Sequence, residues 1–165
     1  MATSNSQRVS IVMGSDSDLE VMRACRETLE DFGVVSEMKV LSAHRTPDAL
    51  AEYLRQAEDK GVQVFIAAAG MAAHLAGAVA SRTLKPVIGV PLDASSLGGL
   101  DSLLSTVQMP SGIPVATVAI GKAGARNAAF LAVQVLALSD PALAQKLGEQ
   151  RKKNAEALLA KNEKL

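Results

Sequence analysis

An imidazole, a guanidinium and two hydroxyl groups lie close together in residues 42–47, which read SAHRTP. An arginine can hold a phosphate through paired hydrogen bonds, and a histidine can exchange protons near neutral pH. His44 and Arg45 are therefore the first candidates for acid–base chemistry on an anionic ligand. The chain has only one other histidine, His74. A purely structural role for a loop histidine is the alternative at this point.

A second group of polar side chains, GSDSD, occupies residues 14–18 directly after an apolar stretch. Hydroxyl groups and free backbone amides at the start of a helix favour an anion. Asp16 and Asp18 would repel a phosphate, so we expect one of them to cap the helix and the other to bind a sugar hydroxyl. Because Ser and Asp cap helices in many proteins, this segment alone is a weak indication of function.

The third segment of interest, residues 69–77, has little side-chain bulk apart from Met71, His74 and Leu75. Small residues allow a ligand to approach the backbone closely. The alternative is a tight junction before a helix, in which His74 only caps or packs.

The elements that must position these segments follow from the alternation of short apolar stretches with longer helical patterns. This alternation predicts an α/β fold, a doubly wound parallel sheet. The predicted strands span residues 9–13, 34–40, 62–68, 87–90 and 115–119. Ligands bind at the carboxyl ends of the strands in such a sheet, so the loops 14–18, 41–46 and 69–77 should meet in one crevice.

Helix starts are predicted from capping residues: Asp16 or Ser17 for the first helix, the hydroxyl of Thr46 for the second, and Asp140 for the C-terminal one. Residues 128–138 contain a single polar side chain, a glutamine, so this helix is apolar nearly all round. We infer an oligomer whose interface buries it. A helix enclosed at the centre of one protomer is the alternative.

Composition excludes several classes of protein. With 17 basic and 17 acidic residues and no Trp, the chain has no general attraction to nucleic acid or an anionic membrane. Its single cysteine, Cys25, cannot form an intramolecular disulfide and is expected to be a buried thiol. We expect one cytoplasmic domain over residues 1–165, with residues 1–7 disordered, because no signal peptide or membrane span is recognisable.

The common cofactor motifs are missing from the sequence. It has no GxGxxG after the first strand, no GxxxxGK[ST], and neither HExxH nor CxxC. What remains is acid–base chemistry without a metal or an organic cofactor, on a small anionic ligand.

Five short motifs occur in order along the chain: GSxSD at 14–18, SAHRTP at 42–47, AAHL at 72–75, DSL at 101–103 and VQMP at 107–110. In this combination the chain resembles the PurE family of N5-carboxyaminoimidazole ribonucleotide mutases, class I, from about residue 9 to the final helix. The resemblance implies a three-layer flavodoxin-like sheet with a C-terminal helix. It also implies a homo-octamer of two stacked rings of four, a nucleotide substrate, and no metal or organic cofactor.

The resemblance implies roles for individual residues as well. His44 would be the acid and base that moves a carboxylate from the exocyclic nitrogen of the substrate to the imidazole carbon. The implied substrate contacts are Ser15, Ser42 and Arg45 at the phosphate, Asp18 at the ribose, and Ala69, Gly70, His74 and Leu75 around the base and carbon dioxide. Whether His74 touches the ligand stays open.

Two alternatives to the mutase remain open: a carboxylase that takes free carbon dioxide, and a phosphoribosyl-ligand binding module without catalysis. Direct carboxylases resemble SAHKGP at residues 42–47, whereas this chain has Arg45 and Thr46, which favours the mutase. The chain departs from the commonest family pattern at Met71, where a second glycine is usual, and at Ala76, where proline is usual. Met71 would either reshape the carbon dioxide site or face a neighbouring subunit.

Overall fold

Five parallel strands form the central sheet in a computed structural model that describes residues 7–164. The strands are β1 (Val9–Met13), β2 (Ser36–Val40), β3 (Val64–Gly70), β4 (Val87–Leu92) and β5 (Ala116–Thr117). They are hydrogen-bonded in the order β2-β1-β3-β4-β5, and every pair is parallel. This order is that of flavodoxin-like sheets, which confirms the predicted fold class. The predicted disorder of residues 1–7 concerns a segment that lies outside the described residues except at Gln7.

Helices cover both faces of this sheet and make the fold three-layered. They are α1 (Leu19–Asp31), α2 (Pro47–Asp59), α3 (Leu75–Ala80), α4 (Leu100–Val107), α5 (Gly121–Ala137) and α6 (Pro141–Leu159). Val9, Ile11 and Met13 of β1 pack with α1 and α5, while Val12 packs on the other face with α2 and α3. This alternation follows from the two-residue period of a strand. Within residues 7–164, no helix is both long and apolar enough to cross a membrane.

The apolar helix α5 differs from its prediction in two ways. It begins at Gly121 and not at residue 128, because Gly121 and Gly124 do not interrupt it. Gly124 lies against the segment that joins β5 to the helix: an added Cβ would come within 1.6 Å of the carbonyl oxygen of Ala119, so only glycine fits. Most of the apolar residues between 128 and 136 are buried against α1 and the sheet of the same protomer. One face of α5 is therefore enclosed within the protomer, whereas Gln134 and Leu138 are exposed, and burial of the helix by a neighbouring subunit stays a prediction.

Four strands also differ from their predictions. β2 and β3 start two residues later than predicted, at Ser36 and Val64, and β3 and β4 each end two residues later, at Gly70 and Leu92. β5 is reduced to Ala116–Thr117 at the edge of the sheet. Residues at a sheet edge have a partner on one side only, so an apolar stretch there need not extend the ladder. The carboxyl ends of β1 and β2 lie where they were predicted, and β3 extends through Ala69 to Gly70. These three ends position the loops discussed below.

Cys25 lies in the core between α1 and the sheet. It is fully buried, as predicted, and it has no disulfide partner. Burial raises the pKa of the Cys25 thiol to about 12, because the thiolate would lose its hydration there. The residue is therefore a small apolar side chain of the core rather than a reactive thiol.

Candidate active site

A cleft of about 580 Å³ opens at the carboxyl ends of β1, β2 and β3. All nine residues that the sequence proposed for the site line it: Ser15, Asp18, Ser42, His44, Arg45, Ala69, Gly70, His74 and Leu75. The strand order changes direction between β1 and β3, which is where open α/β sheets bind ligands. The structure thus brings the three predicted loops together in one place.

The first loop turns sharply through a short 3₁₀ helix, Asp16–Asp18, before α1 begins. Ser15 caps this turn: its Oγ accepts the backbone N–H of Ser17 at 3.3 Å, and its own N–H donates to Oδ2 of Asp18 at 3.0 Å. This reciprocal arrangement is a capping box. The predicted cap at Asp16 or Ser17 is therefore one residue or more too late, because the 3₁₀ turn precedes the α-helix.

Both carboxylates of the first loop bond within the loop. Asp16 Oδ1 accepts the hydroxyl of Ser15 and the backbone N–H of Ser17, each at 3.1 Å, while Asp18 completes the capping box. The expected division, with one aspartate capping and the other free for a sugar, is not observed. Asp18 nevertheless has capacity left, since its Oδ1 has only a long 3.5 Å contact from the Ser17 hydroxyl.

Asp18 is an unusually buried acid, with 6% of its surface exposed. Burial raises the pKa of Asp18 above the ordinary carboxyl value of 3.8, against the opposing effect of hydrogen bonds from Ser15 and Ser17 and of the nearby Arg45 charge. A raised pKa means that ionised Asp18 lowers the free energy of unfolding. This loss of stability is absent below pH 3.8, where the carboxyl group is neutral in both the folded and the unfolded chain, and it is fully present above the pKa of the folded chain.

Asp18→Asn removes this buried charge and keeps an oxygen that can accept the Ser15 N–H. We expect the variant to have a higher Tm than the parent at pH 7, and the gain to shrink as the pH falls towards 3.8. Thermal unfolding followed by circular dichroism across this range measures the difference. A gain that grew on acidification would mean that the carboxylate stabilises the folded chain.

The second loop, between β2 and α2, is held by its own hydroxyl groups. Ser42 Oγ accepts the backbone N–H groups of His44 and Arg45 at 3.3 and 3.1 Å. Thr46 Oγ1 accepts the N–H of Ser42 at 2.9 Å and makes no bond to the first turn of α2, so the predicted hydroxyl cap is wrong. The Thr46 hydroxyl instead shapes the loop that presents His44 and Arg45.

Arg45 connects the second loop to the first. Its guanidinium donates to the backbone carbonyl oxygen of Gly14 at 2.7 Å. Among the described residues the other guanidinium N–H groups have no acceptor, and Arg45 lines the cleft together with Ser15 and Ser42. An arginine that uses one N–H to fix its position has several left for an anion.

The two histidines of the chain meet across the cleft. His44 Nε2 lies 2.8 Å from His74 Nδ1, and the rings are nearly perpendicular, at 89°. One of the two nitrogens must carry the proton, so the contact links the tautomer of one ring to that of the other. Sequence reasoning placed both residues near the ligand and did not foresee this pairing, because nothing in the spacing of 30 residues indicates it.

The third loop is fixed from both sides. Gly70 lies so close to Ala94, after β4, that an added Cβ would be 2.4 Å from the Ala94 Cβ. The backbone N–H of Ala73 donates to Ser105 Oγ of α4 at 2.9 Å. The loop wall around the two histidines is therefore rigidly placed against neighbouring elements.

Sequence reasoning did not propose five further residues of the cleft lining: Gly14, Ser17, Ala43, Ala72 and Ala94. The first four belong to the three predicted loops and were not proposed as individual site residues. Ala94 follows β4, and the rule that ligands lie at the carboxyl ends of strands could have found it. Ser105 holds the wall from outside the cleft, and no pattern in the sequence indicates that role.

Comparison with known proteins decides the family. Residues 8–157 match the AIR carboxylase family. The chain belongs to this family. It is 58% identical over 144 residues to N5-carboxyaminoimidazole ribonucleotide mutase of Pyrococcus abyssi, and this alignment covers 87% of this chain and 82% of the relative. It is 52% identical over 158 residues to the mutase of Thermotoga maritima, covering 96% and 91%.

Solved structures agree with this membership of the AIR carboxylase family. The crystal structure of Treponema denticola PurE superposes with a TM-score of 0.87 at 30% identity, covering 95% of this chain and 97% of that one. Membership confirms the resemblance drawn from the five motifs, and with it the prediction that the chain is an enzyme.

Proposed function

We propose that this member of the AIR carboxylase family is an isomerase of purine biosynthesis. It would convert N5-carboxyaminoimidazole ribonucleotide to 4-carboxy-5-aminoimidazole ribonucleotide by moving the carboxylate from nitrogen to carbon. The observation that carries the proposal is the meeting of an anion-binding group, Arg45 with nearby hydroxyls, and a pair of histidines in one cleft. The shared name of the relatives at 52% and 58% identity supports the same reaction.

In this proposal the phosphate lies beside Arg45, Ser15 and Ser42. The Arg45 guanidinium supplies charge and donors, and the hydroxyls of the two serines add neutral donors. Ser42 Oγ already accepts two backbone N–H groups, so its hydroxyl proton is free to point at the ligand. Asp18 would accept a ribose hydroxyl at Oδ1, on the side that the capping box leaves open.

His44 is the proposed acid and base. Its proton passes to the exocyclic nitrogen of the substrate, the bond from that nitrogen to the carboxylate carbon breaks, and carbon dioxide is released inside the cleft. The ring carbon then forms a bond to the carbon dioxide, and the proton on that ring carbon returns to His44. Protons and charge balance over the cycle, so one histidine suffices. The small residues Ala69 and Gly70 allow the flat ring to lie close to the loop backbone.

An assay with both nucleotides tests the proposed function. The protein is offered either N5-carboxyaminoimidazole ribonucleotide or aminoimidazole ribonucleotide, without ATP, in degassed or bicarbonate-loaded buffer, and product is followed by absorbance. We expect rapid turnover of the first nucleotide in degassed buffer. Turnover of aminoimidazole ribonucleotide alone, and only with bicarbonate, would make the protein a carboxylase. Binding without turnover of either would make it a binding module.

A homo-octamer in the cytoplasm completes the proposal, and an exposed apolar surface supports the assembly. Large apolar side chains are exposed along α4 and the segments beside it, namely Leu97, Leu100, Leu104, Val107 and Ile113. A group of this kind on one side of a protein indicates a contact surface. It adjoins the cleft through Ser105, so a neighbouring subunit seated there would lie near the substrate.

Leu104→Glu should therefore break the assembly. We expect the parent chain to run as an octamer in light scattering at micromolar concentration and the variant to run as smaller species, because a charge would be buried at the contact. Leu84→Glu is the control, since Leu84 is fully exposed before the opposite end of β4. A parent chain that is monomeric at this concentration would contradict the octamer.

A further inference from the structure

Met71 has a backbone conformation that methionine rarely adopts. Its φ is +56°, in the left-handed region that favours glycine. Among the described residues, the six other positions with positive φ are all glycine. Met71 is thus the one position in residues 7–164 where this conformation occurs with a side chain attached.

The surroundings of Met71 impose this conformation. On one side, Gly70 is packed against Ala94; on the other, the N–H of Ala73 is bonded to Ser105. The side chain itself adds no packing that would stabilise the turn, since Met71 belongs to neither apolar cluster of the core and 59% of its surface is exposed. The protein therefore holds a long apolar side chain in a strained position without any gain in the core.

Met71 belongs to the lining of the cleft, together with His44, Gly70 and His74. The other large apolar side chain of the lining is Leu75, and Leu75 is buried. Met71 is thus the one large apolar group that can move against a ligand in the cleft as the structure describes it. Residues held in sparsely populated conformations cluster where ligands bind, and the inference runs from the observed strain to function.

We propose that Met71 is a specificity-determining residue that covers the planar ring of the bound nucleotide. The inference rests on the proposed function for the identity of that ring. A thioether on three rotatable bonds adapts to an aromatic face and makes favourable sulfur contacts with it. In this position it excludes water from the ring and from His44, while the phosphate and ribose ends of the ligand are bound elsewhere, by Arg45 and Asp18.

Two ligands separate this role from a general effect on the cleft. Aminoimidazole ribonucleotide carries the ring, and ribose 5-phosphate lacks it. Calorimetry of both with Met71→Ala, which keeps a non-glycine residue and removes the cover, should show the nucleotide Kd raised about five- to thirtyfold. The Kd of ribose 5-phosphate should stay within about twofold. Met71→Leu is the matched control and should lie within about threefold of the parent for both ligands.

Met71→Gly tests the strain directly. Because glycine accepts positive φ without steric strain, the Tm of Met71→Gly should rise by about 2–4 °C. Nucleotide binding should weaken as in the alanine variant. Equal weakening of both ligands in Met71→Ala, or no weakening of either, overturns the proposal. Loss of the oligomer with unchanged nucleotide affinity also overturns it, because Met71 would then be a subunit contact.

The same titrations distinguish this proposal from the proposed function. If the parent chain bound the nucleotide more tightly than ribose 5-phosphate yet turned over neither nucleotide, the proposed reaction would fail. The Met71 proposal would then hold if Met71→Ala removed the preference for the nucleotide over ribose 5-phosphate, and it would be wrong if the preference remained. If the parent chain bound both ligands equally, the cover over the ring would be ruled out whatever the reaction.

Discussion

His44→Asn is expected to lower kcat by about a hundred- to ten-thousandfold, the contribution of a general acid–base group. Asparagine has similar size and polarity and can still form a hydrogen bond, but it cannot exchange a proton near neutral pH. We therefore expect folding, assembly and nucleotide binding to survive while the chemical step fails. Steady-state turnover of N5-carboxyaminoimidazole ribonucleotide gives the rate, and calorimetry gives the affinity.

His74→Asn is the matched control for this prediction. His74 Nδ1 contacts His44 Nε2, so its loss alters how the His44 ring is held without removing the proposed proton carrier. We expect a smaller loss in kcat than in His44→Asn. A His44 variant that turns over within a few-fold of the parent, beside an inactive His74 variant, would assign the proton to the third loop.

Arg45→Lys should weaken nucleotide binding about ten- to a hundredfold, the worth of a charge-assisted hydrogen bond. The guanidinium donates to the Gly14 carbonyl oxygen at 2.7 Å, and Arg45 lines the cleft with other N–H groups that are free to bind an anion. A lysine ammonium is one point on a flexible stem and cannot reproduce both contacts in a fixed geometry. Calorimetry with the nucleotide measures the change.

Arg55→Lys provides the comparison for Arg45→Lys. Arg55 lies on the exposed surface of α2 and pairs with Glu52 and Asp59, away from the cleft. Its replacement should leave the nucleotide Kd unchanged. An Arg45 variant with normal affinity and a lowered Tm would show that Arg45 only ties the first two loops together through Gly14.

The sequence predicts β1 with its observed bounds, because its short apolar stretch ends clearly at Gly14. It is less accurate for the start of α5, which depends on the backbone around that start. The helix begins at Gly121, ahead of the apolar stretch 128–138, and its Gly124 is required by the close approach of the Ala119 carbonyl. That contact depends on how the backbone turns into α5, and the composition of the helix does not encode it.

The candidate site was predictable at the level of loops and not at the level of bonds. Convergence of three loops follows from the parallel sheet alone, so the nine residues proposed for the site all line the cleft. The Thr46 cap was wrong because its hydroxyl bonds back to Ser42. The facing of His44 and His74 depends on how two loops cross, and sequence spacing does not give that.

Cys25 makes the opening of the core measurable. It is the only thiol of the chain, it is fully buried, and burial raises its pKa to about 12. Thiol reagents attack the thiolate, so a small maleimide can label the native protein only when α1 separates from the sheet. The rate of Cys25 labelling therefore measures how often α1 separates from the sheet, with no engineered reporter. A nucleotide that binds at the start of α1 should lower this rate, because it would hold α1 against this half of the core.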